Sequence, residues 1–337
     1  MSGIPETDPR IRTARKDTLA DPGFRALLER IPSDWEKECP ASGHHSPSYS
    51  PNLIGFVADL GVRPGDVPKI DRILERILAH QDGEGRFQAL GRFRSMPKAL
   101  WGALFCDTNI LLDVLVRFGM ENDPRVVRGL ERMAADRSPT ANGPGWLCRP
   151  DPVSKFRGPG RKDEFCPMVT LEALRGFSRL PENRRPANVL DTARTCLRAW
   201  KMRDSEKPYM FGHGRQFKII KWPPFWYSSY IVLDALSRYP TLWKGRSARE
   251  EDRTALAEIA ACLIAYNFDD EGRVVPRSCS QGFEAYSFGQ KKVASPTATA
   301  IACLPLARLS DLADEIASVD IAKLKSSKGG TGKPRLP

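Results

Sequence analysis

No apolar run in this 337-residue chain approaches the roughly 20 residues that a membrane-crossing helix needs, so no span is expected. The longest candidates, such as 259–265, are short and belong to amphipathic segments. The opening residues 1–16 are polar, carry Pro5 and Pro9, and have none of the apolar core of a secretory signal; a cytoplasmic location is the expectation. Histidine is scarce, with 4 in all, and nothing points to a Ser/His/Asp triad. There is no CxxC pair, no P-loop, no GxGxxG entering a helix and no DDxxD. Those absences remove the spacing signatures of zinc ribbons, nucleotide hydrolysis, dinucleotide binding and Mg²⁺-diphosphate chemistry.

What is present is ordinary in proportion but basic in balance. Hydrophobic residues make up 41% and charged residues 28%, which fits a globular core. Net charge is +11 and the pI is near 9.4, favouring anionic partners: phosphorylated small molecules, nucleic acid or an acidic surface. The alternative is a merely solvated basic surface. Eight cysteines in a chain without a secretory signal are expected to be reduced. Three of them, Cys196, Cys262 and Cys303, fall in apolar helical patterns and read as core.

The organising pattern is a repeat. Five segments carry apolar residues at helical spacing: PNLIGFVADLGV, DTNILLDVLVRFG, PMVTLEALRGFSRLP, PFWYSSYIVLDALSRYP and SPTATAIACLPLARL. The first four stop at Gly61, Gly119, Pro181 and Pro240, as helix ends should. A second amphipathic segment follows each, over 67–80, 124–135, 186–200, 250–266 and 310–324. Asp123-Pro124 reads as an N-cap followed by Pro at the first helical position. The hairpins recur about every 60 residues, with few strand signals between them. The expectation is all-α, with 1–40 an N-terminal helical arm, 41–325 the repeat domain and 326–337 a disordered basic tail.

Short aromatic-glycine turns follow the second helices: Gln81-Asp82-Gly83-Glu84-Gly85-Arg86-Phe87, Gly143-Pro144-Gly145-Trp146 and Asn267-Phe268-Asp269-Asp270-Glu271-Gly272-Arg273. Asp-Gly dipeptides turn the chain while the aromatic packs back on the helix ends. These turns resemble the QW-like repeats of the prenyltransferase and squalene/terpene cyclase superfamily. The chain is most similar to uncharacterised bacterial and archaeal proteins with prenyltransferase/squalene-oxidase-type repeats, over about 46–309. The resemblance implies an α/α toroid, a barrel of helical hairpins in inner and outer rings, whose first helices line a central funnel. For activity it implies terpenoid cyclase or prenyl transferase chemistry on an isoprenoid ligand, although the superfamily also has non-enzymatic members.

In such a toroid the starts of the inner helices shape the funnel mouth. That places His45, Cys106, Asp107, Asn109, Cys166, Trp222, Trp226 and Tyr227 near it. Asp107 reads equally well as a helix N-cap. Cys106 and Cys166 hold equivalent positions on neighbouring inner helices, and Cys148 follows the turn between them. Three thiols converging on one rim would make three ligands of a tetrahedral zinc site, with His213 as the fourth and Asp107 or His45 as substitutes. The superfamily uses Asp/Cys/His or Cys/Cys/His zinc sets, but neither motif is matched. Unrelated, partly buried thiols are the alternative.

The tetrapeptide Asn267-Phe268-Asp269-Asp270 departs from the cyclase acid DxDD at its first position and lies in a turn that the repeat already explains. The loop 149–162 is Pro/Gly-rich and basic, with Lys155 and Arg157. The segment 213–221, with Arg215 and Lys218, is basic too and runs into Trp222, Phe225, Trp226 and Tyr227. Together they form a cationic, aromatic mouth for a diphosphate, a nucleotide or single-stranded nucleic acid, or else a solvated surface over hairpin packing. Two functions are therefore open. One is an isoprenoid-type enzyme with a deep pocket lined by Trp226, Tyr227 and Tyr230. The other is a non-catalytic module that binds nucleic acid or another anionic macromolecule.

Overall fold

The computed structural model describes residues 7–32, 47, 49–91, 98–153, 155–158, 160–212 and 214–324. The expected tail 326–337, His45 and His213 lie outside the described residues. Helix accounts for 52% of the structure, so the chain is mostly α. The strands are two or three residues long: β1 (Ala89–Gly91) pairs antiparallel with β2 (Leu100–Gly102), and β3 (Lys221–Trp222) runs parallel to β4 (Ser278–Cys279).

Two helices, α1 (Pro9–Ala20) and α2 (Pro22–Glu29), form the N-terminal arm. Helix pairs then follow in the expected order. They are α3 (Ser50–Asp59) with α4 (Pro68–Ala79), α5 (Phe105–Arg117) with α6 (Pro124–Ala135), and α7 (Pro167–Ser178) with α8 (Val189–Lys201). After the single turn α9 (Arg215–Lys218) come α10 (Ser229–Leu236) with α11 (Glu250–Asn267), and α12 (Pro296–Arg308) with α13 (Ala313–Ser318). Proline, common in this sequence, sits at the first or second position of α1, α2, α3, α4, α6, α7 and α12. Its missing N–H costs nothing there and its fixed φ suits the first turn. The last helix is shorter than the 310–324 expected. A 3₁₀ turn, Ser310–Leu312, precedes α13, which ends where the β-branched Val319 leaves helical backbone.

The two helices of each pair differ in how they are buried. Every residue from Ser50 to Ala58 in α3, from Phe105 to Val116 in α5, and throughout α10 is buried. Such helices must be covered on all sides. By contrast, α4 buries only Ile70, Ile73, Leu74, Ile77 and Leu78, leaving a charged face outward. Each fully buried Leu or Ile contributes about 1.5–3 kcal/mol, so the all-round apolar helices go inside. They pack in series, α3 on α5, α5 on α7 and α7 on α10, and α10 then packs on α12, which buries only Ala298, Ile301, Ala302 and Pro305. Phe56 of α3 also meets Phe288, just ahead of α12, ring centroids 5.6 Å apart. The arm reaches the same region, where Arg30 donates to the Gly282 carbonyl at 2.9 Å and lies 4.2 Å from the Phe283 ring centre.

The turns after the second helices are built alike. Asp82 Oδ1 accepts from the N–H groups of Glu84 and Arg86, and Asp269 Oδ1 from those of Glu271 and Arg273. Gly85 and Gly272 take positive φ (94° and 74°), a region other residues enter only with strain. The chain then returns through isolated antiparallel pairings, Gln81 with Phe87 and Phe268 with Val274. Phe87 and Trp146 are buried, and Trp146 Nε1 donates to the Met133 carbonyl at 2.8 Å. At the last turn the equivalent buried residue is Val274, not an aromatic.

Candidate functional site

The first helices share a register that the terminating residues reveal. Asp59, Arg117, Arg179 and Arg238 each stand two residues before Gly61, Gly119, Pro181 or Pro240, and Arg308 ends α12 in the same way. One turn earlier come Gly55, Asp113, Arg175, Asp234 and Leu304, and a further turn gives Asn52, Ile110, Glu172, Tyr230 and Ile301. All fifteen line one cavity of about 150 Å³. Positions one helical turn apart share a face, so five helices present the same stripe to one space.

The lower two tiers hold an ionic network. Arg117 contacts Asp59 at 2.5 Å and Asp113 at 2.7 Å, and Arg179 contacts Asp113 at 2.9 Å and Asp59 at 3.5 Å. Three arginines, Arg175, Arg238 and Arg308, share the single carboxylate of Asp234 at 3.1, 3.0 and 3.2 Å. Burial opposes the charge on Asp113 and Asp234, but their arginines outweigh it and hold both carboxyls well below the usual range. The opposite imbalance acts on Arg179. Burial and repulsion from Arg117 pull it down to about 10 despite its contact with Asp113. Arg308 is lowered too, by burial and by Arg238. These arginines sit near the C-terminal ends of their helices, where the helix dipole also favours cations.

This charged end was missed by the sequence reading, which looked to the starts of the inner helices. Its signal was present: Asp59 two places before Gly61 and an Arg two places before Gly119, Pro181 and Pro240, with Asp113, Arg175 and Asp234 four places ahead of those arginines in otherwise apolar helices. The residues expected at the mouth mostly serve packing. Buried Asp107 accepts from the Tyr49 hydroxyl at 2.9 Å, and Asn109 Nδ2 donates to the Val169 carbonyl at 3.0 Å, each joining neighbouring helices. Trp222 is buried beside Phe288, and Tyr227 between Phe211 and Phe217. Lys218 caps the Tyr266 ring at 4.6 Å, Lys155 donates to the Pro152 carbonyl, and Arg215 is exposed. Among the described residues expected at the mouth, Phe225 and Tyr230 line the central cavity. Near the DxDD-like turn, Asn267 bonds the backbone of Lys218 and Ile220, while Asp269 pairs with Arg273, so these groups hold the turn together.

The cysteine expectation fares differently. Cys106, Cys148 and Cys166 do come together, lining a second cavity of about 50 Å³ with Phe105, Met210 and Trp226. Cys148 is half-buried and its sulfur lies within hydrogen-bond reach of the Cys166 thiol and of the N–H groups of Gly158 and Gly160. The Cys166 bond, those N–H groups and nearby Arg157 together pull the Cys148 thiol down to about 6, against burial. Its partner Cys166 is pushed up, by the same bond and by burial. Arg157 closes the loop over the pair, donating to the carbonyls of Cys148 at 2.8 Å and Gly160 at 2.7 Å. Among the described residues, no group of three or more His, Cys, Asp or Glu is placed to hold a metal ion.

Fold and site thus define a mostly helical protein of successive helix pairs around a charged cavity, with a separate thiol cluster. Comparison with known protein families, characterised proteins and solved structures gives no match.

Proposed function

We propose that the inner helices stand as an α/α toroid and that its central cavity binds a small anionic ligand, a phosphate, diphosphate or carboxylate group. The observation that carries this reading is that Arg175, Arg238 and Arg308 share one carboxylate at the wall of the cavity, leaving positive charge in excess. Guanidinium forks match such oxyanions in geometry, and partial burial strengthens each contact. Its volume, about 150 Å³, suits a head group rather than a whole terpenoid, since pockets for drug-sized ligands run from about 300 Å³ upward. An isoprenoid diphosphate is the fuller form of the reading, with its charged end on the arginines and only the first part of its chain against Phe56, Met168, Phe225 and Ile301. Cyclase or transferase activity would need an acid or a metal in addition.

The test is thermal denaturation of the full chain with inorganic phosphate, diphosphate and geranyl diphosphate at constant ionic strength. Saturable stabilisation by one of them is expected, amounting to about 2.7 kcal/mol at a hundredfold excess over Kd. Arg308→Gln should abolish it. No saturable shift with any anion, or an equal shift in the variant, would remove the reading. A zinc ion on Cys106, Cys148 and Cys166, with His213, is a second reading: the three thiols line one cavity, although among the described residues no three such groups are placed to hold a metal; elemental analysis of the purified protein decides it. Nucleic-acid binding draws less support, because Lys155, Arg157 and Arg161 are engaged within their own loop or with its neighbours.

A further inference from the structure

A second chemistry is built into the segment between the second and third helix pairs. Leu147 pairs antiparallel with Phe165, and Cys166 N–H donates to the Trp146 carbonyl at 2.7 Å. Side chains alternate between faces along paired strands, so the next residue on each strand, Cys148 and Cys166, projects to the same side. A glycine fills the space between them. A Cβ at Gly160 would lie 2.5 Å from the Cys148 Cβ and 3.8 Å from the Cys166 Cβ, so no larger residue fits without moving them. Cys148 is half-buried while Cys166 is buried, so an external reagent reaches Cys148 first. Cys196 and Cys262 are pushed up chiefly by burial, Cys262 to about 12.

We propose that Cys148 and Cys166 form a redox-active dithiol that exchanges with small-molecule disulfides, Cys148 attacking and Cys166 resolving. In the first step the Cys148 thiolate attacks one sulfur of the disulfide. A new S–S bond forms, the old one breaks, and the departing thiolate takes a proton from water. In the second step Cys166 gives up its proton and attacks the Cys148 sulfur, expelling the second small thiol. The two protein thiols are oxidised to one disulfide, and the external disulfide is reduced to two thiols. Phe105, Phe156, Met210 and Trp226 line the same cavity as the pair.

The full-length, reduced protein is incubated with glutathione disulfide, quenched with alkylating agent and peptide-mapped by mass spectrometry. Wild type is expected to yield the Cys148–Cys166 disulfide and release two glutathiones per chain, with Cys196 and Cys262 unmodified. Cys166→Ser should stop with glutathione on Cys148, and Cys148→Ser should leave Cys166 unreacted. Wild type that keeps both thiols, a crosslink between other cysteines, or stoichiometric zinc shielding the pair would each overturn the proposal. None of these readings depends on the anion cavity, whose arginines the cysteine variants leave intact.

Discussion

Arg179 Nε donates to Asp113 Oδ1 at 2.9 Å, tying the end of α7 to α5 across 66 positions of sequence. The pair sits in a network with little access to water, the two side chains being 12% and 4% exposed. There an unpaired charge is costly, which makes the network sensitive to loss of any one member.

Asp113→Ala should therefore destabilise the protein by about 3–5 kcal/mol, because Arg117 and Arg179 would both lose their shared carboxylate. Urea denaturation of the variant beside wild type measures it. A change under about 1 kcal/mol would mean that water or rearrangement compensates.

The same carboxylates set an acid limit. Asp113 and Asp234 have folded-state pKa values well below that of an unfolded Asp, about 3.9. Their stabilisation is complete above that unfolded value and is lost as pH falls from about 4 toward the lower folded values. Melting temperature should be flat in this contribution from pH 7 to 5 and fall steeply below pH 4. Asp113→Asn should show a shallower acid slope than wild type.

Gly160→Ala should disturb the thiol pair specifically, since its Cβ would meet the Cys148 Cβ at 2.5 Å. Overpacking of this kind costs about 1–3 kcal/mol. Formation of the Cys148–Cys166 disulfide should slow at least tenfold in the exchange assay, while anion-induced stabilisation stays as in wild type.

Tyr239 closes the third and fourth pairs together, its buried hydroxyl donating to the Leu174 carbonyl at 2.5 Å. Tyr239→Phe should cost about 0.5–1.5 kcal/mol by removing that buried hydrogen bond, read from chemical denaturation.

Much of the fold was readable because its rules are local. Helical spacing, proline at first turns and Gly or Pro at ends gave the ten helices of the five pairs, with α6 at its expected bounds, 124–135. The equivalence of Cys106 and Cys166 in the repeat was enough to expect their meeting with Cys148. The polar residues at helix starts were misread, because a hydrogen-bonding group such as Asn109 looks the same in sequence whether it faces a ligand or the carbonyl of Val169. Arg117, Arg179 and Arg238 were not singled out in the sequence, because only packing against their neighbours puts them on a common wall.

Sequence alone determined which segments are helical, where they stop and which are apolar all round, since propensity, capping and burial pattern act within a few residues of chain. Tertiary structure decided which side chains share a cavity, how many arginines divide one aspartate, and which thiols meet. Those outcomes depend on distances between residues dozens of positions apart, and charge interactions change with each ångström and with each water excluded.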